Sequence, residues 1–126
     1  MLIIHKEQMA MLKDKERQKF VERMKDHLQD IFPDQTESLG EAGLHEEIYH
    51  GMETAEKYRM ASEREAARYI ELMFYLGRDF DTSPKTPWAA SILKDPFSSA
   101  ANRLRRLSRE AGKHGLMTDP VTKDGR

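Results

Sequence analysis

The sequence contains no cysteine, and this absence removes several kinds of chemistry. Without cysteine the chain has no disulfide, no thiolate-bound metal and no cysteine nucleophile. Glycine is scarce, with Gly 7 in 126 residues, which leaves little for glycine-rich nucleotide-binding loops. No G-x-S-x-G sequence, phosphate-binding loop or other diagnostic catalytic motif is present. We therefore predict that the protein is not an enzyme and has no cofactor.

Long hydrophobic runs are missing as well. No window approaches the roughly 18 consecutive apolar residues that a membrane-spanning helix needs. After Met1, only Leu2, Ile3 and Ile4 are apolar before His5, and this run is too short for the core of a signal peptide. The expected location is therefore the cytoplasm.

The composition favours helices. Charged residues make up 34% of the chain, and β-branched residues are few, a mixture rich in helix formers and poor in strand formers. A length of 126 residues suits one domain of ordinary size. We predict an all-α fold, a compact single-domain bundle of about five helices over residues 1–115, followed by a disordered tail over residues 116–126.

The most apolar segment, residues 62–81, is predicted to be the centre of this bundle. Ser62 and Glu65 match an S-x-x-E capping box, and Gly77 stands where a left-handed cap residue is expected. Apolar residues recur between them at helical spacing, so we predict a helix over residues 63–76. Four other helices are predicted over residues 6–31, 41–58, 87–94 and 98–111.

The residue types of His45, Glu47 and His50 suggest a metal site, but their spacing argues against one. The histidines are five residues apart, which on a helix separates their directions by about 140°, whereas zinc-binding helices place them four apart. Glu47 and His50 have the spacing of a carboxylate di-iron motif, but the required second pair is not found. We expect a solvated helix face and no metal here.

Asp79 and Asp81 flank Phe80, and two carboxylates of different pKa could act as general acid and base. If Phe80 fills the core, however, alternation along the chain would direct both acids outward into water. We predict that Phe80 is buried and that the two acids are solvated.

Charge of opposite sign is concentrated in two parts of the chain. Residues 34–47 contain five acidic residues and no lysine or arginine, while the last predicted helix carries Arg103, Arg105, Arg106 and Arg109. Solvated helix faces account for much of this pattern. Alternatively, charge segregation steers docking to a protein of complementary charge, or the arginines contact nucleic-acid phosphates. The formal net charge of -1 argues against a general nucleic-acid binder.

Several segments resemble the small helical proteins encoded in type VI secretion effector gene clusters, beside PAAR tip proteins and Tap-type adaptor chaperones. The resemblance covers roughly residues 5–110 and is carried by structural rather than catalytic motifs. These are His27, Leu28, Phe32 and Pro33; Leu39, Gly40 and Glu41; the central SEREAARYIELMFYLGRDFD; and Pro87, Trp88, Ala89, Ile92, Leu93 and Asp95.

The resemblance implies an accessory role, as a chaperone, co-chaperone or adaptor that helps to load an effector. The expected partner is another protein of the cluster, such as the effector, the PAAR tip or the adaptor chaperone, with no membrane involved and homo-oligomers possible. Two alternatives stay open: an immunity protein that binds a co-encoded toxin, and a nucleic-acid-binding regulator. The predicted protein-binding residues are Arg78, Asp79, Asp81, Trp88, Arg103, Arg106 and Arg109.

Overall fold

A computed structural model describes residues 14–116, and over that range the chain forms five helices. No strand occurs between residues 14 and 116, which confirms the all-α prediction for this part of the chain. The predicted helix start near residue 6 and the predicted tail from residue 117 onward lie outside the described residues. The helices are α1 (Asp14–Ile31), α2 (Pro33–Lys57), α3 (Glu63–Leu76), α4 (Pro87–Leu93) and α5 (Ala100–Lys113).

Over the described residues the chain divides into two compact units, with the boundary between Glu71 and Leu72. In the first unit α1 packs against α2. Residues at helical spacing form the contact, because positions three and four apart share one helix face. The buried residues on these two helices include Phe20, Val21, Met24, Leu28, Leu44, Ile48, Met52 and Ala55.

Helix α2 is two helical pieces joined at Gly40, where φ is 74° and ψ is 173°. This backbone conformation is essentially restricted to glycine. Pro33 occupies the first turn, where its missing N–H costs nothing, and Thr36 Oγ1 donates to the carbonyl of Phe32 at 2.9 Å. Residues 34–40, which lie between two of the predicted helices, are therefore helical, and the interruption before the helix predicted over residues 41–58 falls at Gly40.

The predicted bounds of α3 agree with the structure. Ser62 Oγ accepts a hydrogen bond from the Glu65 N–H at 3.1 Å, as expected for a capping residue. Tyr69 and Ile70 are fully buried. At the other end, Gly77 has φ 114° and donates its N–H to the carbonyl of Met73 at 2.8 Å, which ends the helix.

In the second unit α4 packs against α5. Phe80 is buried, as predicted, and so is the inner face of α5, formed by Leu104, Leu107 and Ala111. Within residues 14–116, no helix is both long enough and apolar enough to span a membrane.

Candidate protein-binding surface

Helix α5 presents two exposed arginines. Ser99 begins the helix, and its Oγ accepts a hydrogen bond from the Asn102 N–H at 3.1 Å. Arg105 and Arg109 are both exposed and lie four residues apart, so they are neighbours on the helix surface. Arg106 is partly buried, and its Nη1 lies 2.8 Å from Asp95 Oδ2. The exposed basic residues of α5 are therefore Arg105, Arg109 and Lys113, and Lys113 Nζ lies 3.3 Å from Glu110 Oε2.

Arg103 is buried instead, which corrects its assignment to the binding surface. Its exposed fraction is 2%. Nε donates to the carbonyl of Ser98 at 3.1 Å, and Nη1 donates to the carbonyl of Leu93 at 3.2 Å. Residue 103 lies four positions before Leu107, on the inward face of α5, so its side chain is directed into the unit. Arg103 thus ties α5 to the preceding turn.

The loop after α3 contains three of the predicted binding residues, and they differ in exposure. Arg78 and Asp79 are exposed, whereas the exposed fraction of Asp81 is 5%. The burial of Asp81 corrects the expectation that both acids face water. The physical reason is that this segment turns back on itself, with the Thr82 N–H donating to the carbonyl of Asp79 at 3.0 Å. Outward alternation applies to an extended chain and not to a turn.

Trp88 is half-buried and joins α4 to the end of α5. Its ring stacks on that of His114, with centroids 5.4 Å apart and an angle of 2° between the ring planes. One face of the indole is therefore already covered within the chain.

The contacts bring Arg103 and Arg106 to the turn between α4 and α5, whereas Trp88 contacts the C-terminal end of α5.

Phe97, in the turn before α5, is the residue that sequence reasoning missed. Its side chain is 95% exposed. Asp95 Oδ1 accepts a hydrogen bond from the Phe97 N–H at 3.0 Å, which closes an Asx turn. An Asp-Pro pair such as Asp95-Pro96 is a signal for a helix break or a turn, and an aromatic residue is normally assigned to a core. The pair could have indicated a turn that displays the residue after it.

Asp95 is held in its ionised form by two donors. The hydrogen bond from the Phe97 N–H, and then the one from the Arg106 guanidinium, keep the pKa of Asp95 below its usual value. One carboxylate oxygen therefore accepts from the turn and the other accepts from Arg106 on α5, so that Asp95 links the two.

The acidic helix lies in the first unit. Asp34, Glu37 and Glu46 are exposed along α2, while Glu41 Oε2 lies 2.9 Å from Lys25 Nζ on α1. This hydrogen bond raises the pKa of Lys25 and lowers that of Glu41. The acidic face is therefore partly neutralised at one position and charged elsewhere.

An open pocket of about 320 Å³ also lies in the first unit. Phe20, Met24 and Ala67 supply its apolar lining, and Arg23 and Glu63 form a 2.7 Å ion pair at its edge. Among residues 14–116 there is no group of three or more histidine, aspartate or glutamate side chains that could hold a metal ion.

Comparison with protein-family models, curated proteins and solved structures gives no match to this chain. The resemblance to proteins of type VI secretion clusters therefore stays a prediction, and the functional argument depends on the geometry of the chain itself.

Proposed function

We propose that this protein is a non-enzymatic binding module, an adaptor or chaperone that helps to load an effector of a type VI secretion system. The partner would be another protein of the gene cluster: the effector, the tip protein or the adaptor chaperone. The process comes from the sequence resemblance, whereas the binding role draws on the surface described above.

The observation that carries the proposal is the separation of exposed charge between two helices. Helix α2 exposes Asp34, Glu37 and Glu46, and helix α5 exposes Arg105 and Arg109. Surfaces of one sign accelerate association with a partner of the opposite sign and disfavour like-charged partners. A small helical protein with two such surfaces suits a role in which it recognises another polypeptide.

The nucleic-acid alternative loses support from the positions of two arginines. Arg103 is buried, and Arg106 is paired with Asp95. Of the four arginines expected to contact phosphates, Arg105 and Arg109 remain exposed. Each phosphate that a protein neutralises contributes about −0.9 to the slope of log affinity against log salt concentration, so the electrostatic part of the affinity grows with the number of contacts. Two exposed arginines therefore predict weak binding to nucleic acid.

The test is co-purification of the tagged full chain with the product of each neighbouring gene. A double variant, Arg105→Glu with Arg109→Glu, is compared with a matched control, Lys15→Glu with Lys19→Glu. The control changes two exposed residues, also four positions apart, on α1, and gives the same change of net charge. We expect the wild type and the control to retain one partner and the α5 variant to bind it more weakly.

Failure to recover any neighbour with the wild-type chain would contradict the proposal. Equal loss with both double variants would show that net charge, and not the α5 surface, governs binding. If the recovered partner is a toxin and the protein protects cells from it without affecting its export, the immunity alternative replaces the loading role.

A further inference from the structure

Phe97 is exposed far beyond the other large hydrophobic side chains of the described region. Its exposed fraction is 95%, against 37% for Leu39 and 41% for Leu116. A single exposed apolar residue is ordinary on a protein surface and by itself indicates nothing. What distinguishes Phe97 is the way the backbone around it is held.

The turn that carries Phe97 is fixed on both sides. Before it, Asp95 accepts from the Phe97 N–H at 3.0 Å and from Arg106 at 2.8 Å, and the ring of Pro96 restricts its own φ. After it, the carbonyl of Ser98 accepts from the buried Arg103 at 3.1 Å. The fold therefore holds the backbone of residue 97 in place while the phenyl ring contacts water.

A pre-positioned aromatic ring is suited to binding another protein. Association loses affinity when it must order flexible side chains and loops, and a fixed turn avoids much of that cost. Residues that dominate binding are typically aromatic side chains that enter a pocket and are surrounded by polar contacts. Phe97 supplies the aromatic side chain that such an arrangement needs, on a turn whose backbone is held on both sides.

The charges near Phe97 indicate what kind of partner fits. Lys94 is exposed three residues before Phe97, and Arg105 is exposed in the first half of α5, where its Nη1 donates to Asn102 Oδ1 at 2.8 Å. The negative charge of Asp95 is offset by Arg106. The chain segment on either side of Phe97 therefore carries net positive exposed charge, so a complementary partner carries aspartate or glutamate around an apolar pocket.

We propose that Phe97 is the anchor of a docking surface, and that its partner is a different protein offering an apolar pocket with an acidic rim. This inference rests on the proposed protein-binding function and specifies the surface and the chemistry of the partner. Pairing of two copies through the same surface would bring like charges together, which argues against a symmetric dimer built on this turn.

The experiment measures the affinity of the co-purified partner for the wild-type chain, Phe97→Ala and Leu116→Ala. The second variant is the matched control, because it also truncates an exposed apolar residue of the second unit. Phe97→Ala should unfold at the wild-type temperature, since its side chain is almost wholly exposed, and Leu116→Ala, which truncates a partly covered side chain, should unfold close to it. We expect Phe97→Ala to weaken binding at least tenfold, mainly through faster dissociation, and Leu116→Ala to change it less than about twofold.

A third variant, Arg105→Glu, tests the acidic rim. It should slow association and make it less sensitive to salt, while a partner variant with the rim carboxylates converted to amides should behave in the same way. If Arg105→Glu changes neither the association rate nor its dependence on salt, the proposal that the partner has an acidic rim is overturned.

The outcomes separate this inference from the broader proposal. Equal affinities of wild type and Phe97→Ala overturn the docking surface and leave the proposed binding function standing. If the wild type binds no product of the cluster, both fall. Binding to phosphatidylglycerol vesicles that disappears in Phe97→Ala, or self-association that disappears in that variant, would overturn the assignment to a different protein.

Discussion

The hydroxyl of Thr86 donates a hydrogen bond to the main-chain carbonyl of Phe80 at 2.7 Å. Thr86 stands at the N-cap of α4, yet its side chain makes no capping bond to that helix. Both residues are buried, so the bond closes the loop between α3 and α4 from the inside. The threonine thus fixes the direction in which the chain enters α4.

We expect Thr86→Val to reduce the free energy of unfolding by about 1–3 kcal/mol, because the buried carbonyl of Phe80 loses this donor. Thr86→Ser is the control, since it keeps the hydroxyl and removes only a methyl group. Urea unfolding monitored by circular dichroism measures both. Equal stabilities of the valine and serine variants would show that the hydrogen bond contributes little.

Arg103 gives a second prediction. Arg103→Met removes a buried guanidinium and leaves the carbonyls of Leu93 and Ser98 without its two hydrogen bonds. We expect a loss of about 3 kcal/mol in the free energy of unfolding, as for buried bonds to a charged group. Arg105→Met, an exposed position on the same helix, should change stability by less than about 0.5 kcal/mol. Similar effects at the two positions would contradict the structural role assigned to Arg103.

Most of the helical architecture could be predicted from the sequence, because it depends on local signals. The S-x-x-E motif and Gly77 mark the two ends of α3, and both act through backbone groups within one helical turn. The spacing of Leu44, Ile48 and Met52 identifies the buried face of α2 for the same reason. These signals do not depend on what the rest of the chain does.

The candidate surface was harder to predict, because exposure depends on tertiary packing. Asp81 and Arg103 are charged, and charged side chains are rarely buried unless they are paired. Phe97 is aromatic, and such residues are usually assigned to a core. In each case the outcome is set by a turn or by the orientation of α5, and neither can be obtained from residue type alone.

The ionised carboxylate of Asp95 should make the turn before α5 depend on pH. Its pKa in the folded chain is lowered, chiefly by the Phe97 N–H and then by Arg106, relative to about 3.9 in an unfolded chain. A group with a lowered folded pKa contributes full stability above its unfolded pKa, and the contribution is lost as the pH falls through the folded value. We therefore expect no change in the contribution of Asp95 between pH 7 and about pH 5, and a decrease below about pH 4.

The measurement is the difference in unfolding free energy between wild type and Asp95→Asn, taken at several pH values in urea. Asparagine still accepts from the Phe97 N–H but lacks the charge. Repeating the comparison in an Arg106→Met background should reduce the pH dependence without removing it, since the main-chain donor remains. A difference that stays constant from pH 7 to pH 3 would contradict the prediction.

Gly40 and Gly112 offer a comparison in which the same substitution should have opposite effects. At Gly40, φ is 74° and ψ is 173°, and although an added Cβ would meet no atom within 4 Å, this backbone region is strained for any residue with a side chain. We expect Gly40→Ala to destabilise the protein by about 1–3 kcal/mol. Gly112 is exposed within α5, has ordinary helical geometry and also leaves open space for a Cβ.

For that reason Gly112→Ala should stabilise the protein by up to about 1 kcal/mol, through higher helix propensity and lower entropy of the unfolded chain. Thermal unfolding of the two variants beside the wild type measures both effects. Because neither added methyl group meets a neighbouring atom, opposite shifts can come only from backbone conformation. A neutral effect of Gly40→Ala would contradict the prediction. It would mean that residue 40 adopts helical geometry in the variant without loss of stability, so that the break in α2 is not needed for folding.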